Sequence, residues 1–154
     1  MQVQYSRLES MDADLVRQIA EIHENAPSEW RDDHEVSDDR IQRRIEDLKT
    51  KITDSGFYLL MAQAPSGDLI GFHWLEIEEE NKRRIGHIGS LWVAQKYRRQ
   101  GIGKKMKKKA EVWAKKAGAE ELRTEVYFAN SRMIEYNKKL GYRPGQVIMT
   151  KDLR

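Results

Sequence analysis

The stretch Leu91-Trp92-Val93-Ala94-Gln95-Lys96-Tyr97-Arg98-Arg99-Gln100-Gly101-Ile102-Gly103-Lys104 decides how the rest of the chain is organised. A strand runs into a tight, basic, glycine-bearing turn. That turn opens an amphipathic helix over Gly103–Ala117, with Ile102, Met106, Ala110, Trp113 and Ala117 at spacings of three and four. The first turn of such a helix carries free N–H groups and the positive end of its dipole, so it attracts phosphate. Gly101 and Gly103 let the backbone approach phosphate oxygens with no Cβ in the way, and Arg98, Arg99 and Lys104 add charge at the same point. Two other phosphate loops fail. A Walker A loop needs glycine where Arg98 stands and Ser or Thr where Lys105 stands; a dinucleotide fingerprint needs a third glycine at Met106. On these residues alone, the two glycines serve either a bound anion or the turn itself.

Working outward, Arg84–Val93 is the strand that feeds the loop, and Gly118 ends the helix that follows it. Glu121–Tyr127 alternates as the next strand, Ser131–Leu140 is a short helix closed by Gly141, and Val147–Leu153 is a last strand. Upstream, Phe57–Ala64 and Leu69–Glu78 flank a Pro-Ser-Gly-Asp turn and form a hairpin. Val3–Arg7 is a first strand. Met11–Asn25 sets Leu15, Ile19 and Ile22 on one helical face, with Pro27 just beyond. Ser37 caps a second helix whose buried stripe is Ile41, Ile45, Leu48 and Ile52, and Arg40 stands where a capping box wants Glu. The order β-α-α-β-β-β-α-β-α-β predicts a mixed α/β fold, one domain over residues 1–154 with helices on both faces of the sheet. Its antiparallel start changes to a right-handed βαβ crossover around Arg84–Tyr127.

Of the 154 residues, 39% are hydrophobic and 34% charged, enough for a core because the apolar residues fall in periodic segments. There is no cysteine, which excludes disulfides, thiolate nucleophiles and Cys-based metal sites. The N-terminus carries no signal-peptide core and no apolar run reaches about 18 residues, so a cytoplasmic location and no membrane partner are expected. Net charge is +3, unevenly spread: residues 95–118 hold ten basic residues and one acid, Glu111. Such a stretch suits a polyanion, whether nucleotide, nucleic acid or membrane surface; a solvated helix face accounts for it as well.

The pattern Arg98-x-x-Gly101-x-Gly103 resembles the acetyl-CoA pyrophosphate loop of the GNAT superfamily of N-acetyltransferases. Leu91-Trp92-Val93 resembles the pantetheine-binding strand of that family, and Asn130 through Gly141-Tyr142 its C-terminal signature. The resemblance is close over about residues 85–142 and extends to the layout of the rest. It implies a mostly antiparallel mixed sheet of about six to seven strands, with a splayed pair at the cofactor site. It also implies acetyl-CoA as co-substrate, with backbone groups of Leu91, Trp92 and Val93 meeting the pantetheine amides. Amides from Arg98, Arg99, Gln100, Gly101, Ile102, Gly103 and Lys104 would hold the pyrophosphate, and Asn130 the pantetheine arm. The alternative reading of Asn130 is that it starts the helix at Ser131.

The same resemblance implies direct attack by an amine on the thioester, through a tetrahedral intermediate that strand amides polarise. Many members carry, seven residues after that Asn, a tyrosine that protonates the departing thiolate; here the position is Asn137, with Tyr136 one step earlier. One residue turns a helical side chain by about 100°, so Tyr136 belongs to the packing and Asn137 is left to hydrogen-bond sulfur. His87, on the strand before Leu91, is the first choice for the proton acceptor, ahead of His73, Glu76 and Glu125. No His–Glu spacing reads as a metal site, and no metal is expected. Glu29, Asp32, Asp33, Glu35, Asp38 and Asp39, opposed by Arg31, favour a cationic amine acceptor, small molecule or protein; a solvated acidic loop is the alternative. No nucleic-acid partner is expected, since Lys104–Lys116 lacks exposed interleaved aromatics, and a homodimer is compatible with the resemblance. The rival functions are a non-catalytic acetyl-CoA-binding regulatory module and a nucleic-acid-associated basic protein.

Overall fold

Two helices begin where a side chain accepts an orphan N–H of their first turns. Asp12 Oδ1 accepts from Leu15 N–H at 3.1 Å ahead of α1 (Ala13–Asn25), and Ser37 Oγ from Arg40 N–H at 3.2 Å ahead of α2 (Asp38–Lys51). No capping box forms at Ser37. The Arg40 side chain reaches across to Glu24 of α1 instead, and Arg44 joins it with Nε 2.7 Å from Glu24 Oε1. Glu24 is 3% exposed, so an uncompensated carboxylate there would be costly. Burial alone would raise its pKa, but the hydrogen bonds and charges of Arg44 and Arg40, with His23, outweigh burial and hold it below the usual value.

The computed structural model describes residues 1–154, which form two compact units, Met1–Thr124 and Glu125–Arg154. In the first unit β1 (Gln4–Arg7), β2 (Phe57–Gln63), β3 (Leu69–Glu80), β4 (Arg83–Val93) and β5 (Glu121–Thr124) lie in that order in one sheet. The first three pairings are antiparallel. The pairing of β4 with β5 is parallel, reached through α3 (Ile102–Lys116).

Alternation along the strands divides the core in two. Phe57, Leu59, Met61, Phe72 and Trp74 face α1 and α2, where they meet Val16, Ile19, Ile45 and Leu48. Tyr58, Leu60, Ala62, Ile70 and Leu75 face Ile102, Met106, Ala110 and Ala114 of α3. Helices therefore cover both faces. In β4 the register shifts between Trp74↔Ser90 and Leu75↔Ile88, leaving Gly89 as an extra residue, a β-bulge. A Cβ on Gly89 would overlap Nε1 of the buried Trp74, so only glycine fits there.

The second unit holds α4 (Ser131–Lys139), ended by a Schellman motif: Gly141 at φ +91°, Gly141 N–H on Lys138 O and Tyr142 N–H on Asn137 O. The sheet has five strands, not six to seven. Val147–Leu153 makes no ladder, and Val147, Ile148, Met149 and Leu153 are 64–90% exposed. Apolar, β-branched composition yields a strand only where an edge supplies hydrogen-bond partners, and residues 145–154 pair with no strand. For the same reason β5 stops at Thr124 and not at Tyr127.

Gly89→Ala should destabilise the fold by about 1–3 kcal/mol through overpacking against Trp74, read as a lower urea midpoint with an unchanged m-value. Glu24→Gln should cost about 1–3 kcal/mol near neutral pH, since it leaves two arginines facing a neutral amide. Because the folded-state pKa of Glu24 lies below its unfolded value, this stabilisation is complete above the unfolded pKa and lost as pH falls through the folded one. The gap between wild-type and Glu24→Gln midpoints should therefore close on acidification.

Candidate active site

The ladder between β4 and β5 runs from Ile85↔Glu121 to Ile88↔Thr124 and ends there. β4 continues to Val93, still paired to β3 through Gly71↔Val93. Leu91, Trp92 and Val93 are thus held on one side and unpaired to β5 on the other. Free N–H and C=O groups along a strand edge bind an extended chain carrying amides of its own.

The free edge leads into the loop. After a 3-10 turn at Gln95–Tyr97, Arg99 takes φ +62° and Gly101 φ +80°, and Gly101 is the N-cap of α3. Glycine has no side chain to cap with, so the first-turn N–H groups of Ile102, Gly103 and Lys104 have no partner within the helix. A Cβ on Gly101 would meet nothing within 4 Å, so the left-handed backbone, and not crowding, selects glycine. Gly103 lies inside α3. Arg98 does not point at open solvent: its Nε donates to Val93 O at 2.8 Å, and its terminal nitrogens pair with Glu29 at 2.7 and 2.8 Å. It ties the loop to the end of β4, leaving charge near the open amides to Arg99 and Lys104, both beside them in sequence and Arg99 exposed. An exposed set of amides with flanking cations fits a phosphate chain, and the open strand edge fits a pantetheine-like arm.

Ser90, at the bulge where the free edge begins, is gripped from both faces of the sheet. Its Oγ lies 2.9 Å from His23 Nδ1 of α1, and its carbonyl accepts from His73 Nδ1 of β3 at 2.6 Å. His23 packs on Trp74 with ring centroids 4.5 Å apart. Burial, then the charge of Arg44, pushes the pKa of His23 down to about 4, against the opposing pull of Glu24. Burial and then Lys107 push His73 down to about 4 as well. Both rings are neutral at physiological pH. Lys107 is itself driven down to about 8 by burial.

His87 lies within the paired part of β4, its Nε2 3.2 Å from Glu80 Oε1 and 3.4 Å from Glu78 Oε2. The ligand atoms of these three residues lie within 4.8 Å of one another, a grouping invisible in sequence because it forms across the β3–β4 hairpin. Arg123 occupies Glu80 Oε2 at 2.8 Å and would compete with any cation there. Glu76 is bound by Lys51 at 3.1 Å. In the second unit Asn130 Oδ1 accepts from Met133 N–H at 3.2 Å, so Asn130 does cap α4. Asn137 is 5% exposed with Oδ1 unpartnered, and Tyr136 is half-buried, its phenol pushed up by desolvation. The acidic connection is weaker than its count: Glu29 is taken by Arg98, Asp33 by Arg31 and Asp39 by Arg43, leaving Asp32, Glu35 and Asp38 without an ion pair. Sequence inspection missed His23, Ser90 and the brace of Arg98 on Glu29, whose partners lie 67 to 69 residues apart.

The model of the acetyltransferase (GNAT) family matches residues 17–142. The chain belongs to that family. It is similar to a mycothiol acetyltransferase of Propionibacterium freudenreichii subsp. shermanii, 26% identical over 100 residues, covering 63% of this chain and 32% of that protein. It is also similar to an aminoglycoside N(6')-acetyltransferase type 1 of Klebsiella aerogenes, 31% identical over 88 residues, covering 54% of this chain and 58% of the relative. The chain thus spans only part of the length of each of these relatives. Among solved structures, AAC(6')-Iy in complex with the bisubstrate analog CoA-S-monomethyl-acetylneamine superposes with a TM-score of 0.71 at 15% identity, covering 100% of this chain and 99% of that one. At that identity the likeness is one of fold.

Gly101→Ala should cost about 1–2 kcal/mol by forcing a Cβ into the left-handed region, seen as a lower urea midpoint in ligand-free protein.

Proposed function

We propose that this GNAT-family protein transfers the acetyl group of acetyl-CoA to a primary amine by direct attack. The observation that carries the proposal is the continuous run from the unpaired edge of β4 into the uncapped first turn of α3. In this reading Leu91, Trp92 and Val93 pair with the pantetheine amides. The amides from Arg99 through Lys104 receive the pyrophosphate; the Arg98 N–H is taken by Gln95 O at 3.2 Å, and its side chain is the brace that shapes the loop. Asn130 and Asn137 enter by the resemblance of their sequence positions alone.

The amine nitrogen attacks the thioester carbonyl carbon, the C–N bond forms, and collapse of the tetrahedral intermediate breaks the C–S bond. The proton lost by nitrogen passes to His87 through water, where the carboxylates of Glu78 and Glu80 face the charge it brings. The departing sulfur takes its proton from water. One relative is an aminoglycoside N(6')-acetyltransferase, which supports an amine acceptor here. Asp32 and Glu35 favour a cationic one.

The test is a panel of amines (a polyamine, an aminoglycoside, an amino acid and a peptide N-terminus) assayed for release of free CoA thiol from acetyl-CoA. Turnover with at least one is expected; none would overturn the proposal. With an active amine, His87→Gln should lower kcat by about a hundredfold, the scale of a lost general base, with the Kd for acetyl-CoA unchanged. An unchanged kcat would take the role from His87.

A further inference from the structure

Two polar atoms of one β4 residue are fixed by two neutral histidines, and nothing in the reaction outlined above uses them. Ser90 stands at the bulge, half-buried, immediately before Leu91 on the α1 side of the sheet. Let the ring hydrogen of His23 sit on Nε2, which is turned toward Glu24 Oε1 at 3.9 Å, beyond hydrogen-bond length. Nδ1 then carries a lone pair and accepts the Ser90 O–H at 2.9 Å. With its only hydrogen committed, Ser90 Oγ retains acceptor capacity alone. It can receive an N–H but can donate nothing to a carbonyl or carboxylate. The His73 bond to the Ser90 carbonyl stops the bulge from rotating that hydroxyl away, and Trp74 packs directly against the Gly89 backbone beside it.

We propose that Ser90 Oγ receives an N–H of the acceptor amine at the head of the open β4 edge, with His23 and His73 as positioning residues that hold it there. The assignment rests on the acetyl-transfer reading. It separates holding the amine from removing its proton, which stays with His87. His23 faces Glu24 from its own helix and Arg40, Arg44 and Asp47 from α2, while the strands that pack on it bring only Trp74 and Ser90. The arginines disfavour an imidazolium at this place, as a holding role needs and a base does not.

The experiment uses the full chain and whichever panel amine turns over. Ser90→Ala should lower kcat/KM for the amine about tenfold, mainly through KM, with the Kd for acetyl-CoA by calorimetry unchanged. Ser90→Thr, which keeps the hydroxyl, should retain most of the activity, and His23→Gln should resemble Ser90→Ala. Between about pH 5.5 and 8 the profiles of wild type and His23→Gln should have the same shape. Nitrogen-15 NMR of the ligand-free protein should show His23 neutral with its hydrogen on Nε2. An unaltered amine KM in Ser90→Ala overturns the proposal, as does a loss confined to acetyl-CoA binding. So does a hydrogen on His23 Nδ1, or a pH limb present in wild type and absent in His23→Gln. Wild type inactive on every amine overturns the parent reading and this one with it; active wild type with an indifferent Ser90→Ala overturns this one alone.

Discussion

β4 is eleven residues long and β5 is four, and the parallel ladder between them stops at Ile88↔Thr124. A strand at the centre of a sheet normally has both edges satisfied. Here the other edge of Leu91–Val93 meets no strand and only the Arg98 side chain at Val93 O, while pairing with β3 as far as Gly71 keeps the strand extended. The same strand then bends through Arg99 and Gly101, two residues at positive φ, into a helix whose first amides are uncapped. Open strand edge and open helix start are consecutive along one segment, so a ligand with amides at one end and phosphate at the other can be met by backbone alone. Side chains are freed to shape the segment, as Arg98 does by spanning Val93 O and Glu29.

The bulge at Gly89 connects that segment to the helical face of the molecule. Trp74 fills the space under Gly89, His23 packs at a tilt against Trp74, and Glu24 beside His23 anchors Arg40 and Arg44 of α2. On the other face His73, fully buried, closes on the Ser90 carbonyl beneath α3. Both faces of the sheet thus converge on one serine. A buried ion cluster such as Glu24 with its two arginines contributes little net stability over apolar packing. Here it ties α1 to α2 at the residue next to His23.

The layout of helices and strands was largely legible in sequence because it rests on local periodicity and local turn chemistry. Asp12, Ser37, Gly118 and Gly141 begin or end helices by interactions within a few residues, and the alternation in Phe57–Gln63 and Leu69–Glu80 follows from the pleat. The loop at Arg98–Lys104 was legible for the same reason, since its chemistry is that of the backbone. Val147–Leu153 failed as a strand because strand formation needs a second edge, which composition does not supply. Arg98 and Glu29 looked like free charges in a linear count and are each other's partners.

Sequence alone determined the element order through Ser131, the glycine-bearing turn into α3 and the family signature, all carried by residues close together in the chain. Only the tertiary structure decided where the β4–β5 ladder ends, that Gly89 forms a bulge, and that Ser90 lies between His23 and His73. It also decided that Glu78, Glu80 and His87 share one corner. Those contacts cross strands and layers. Their partners are chosen by register and packing, and a one-residue slip of β4 against β3 would carry every one of them to the opposite face of the sheet.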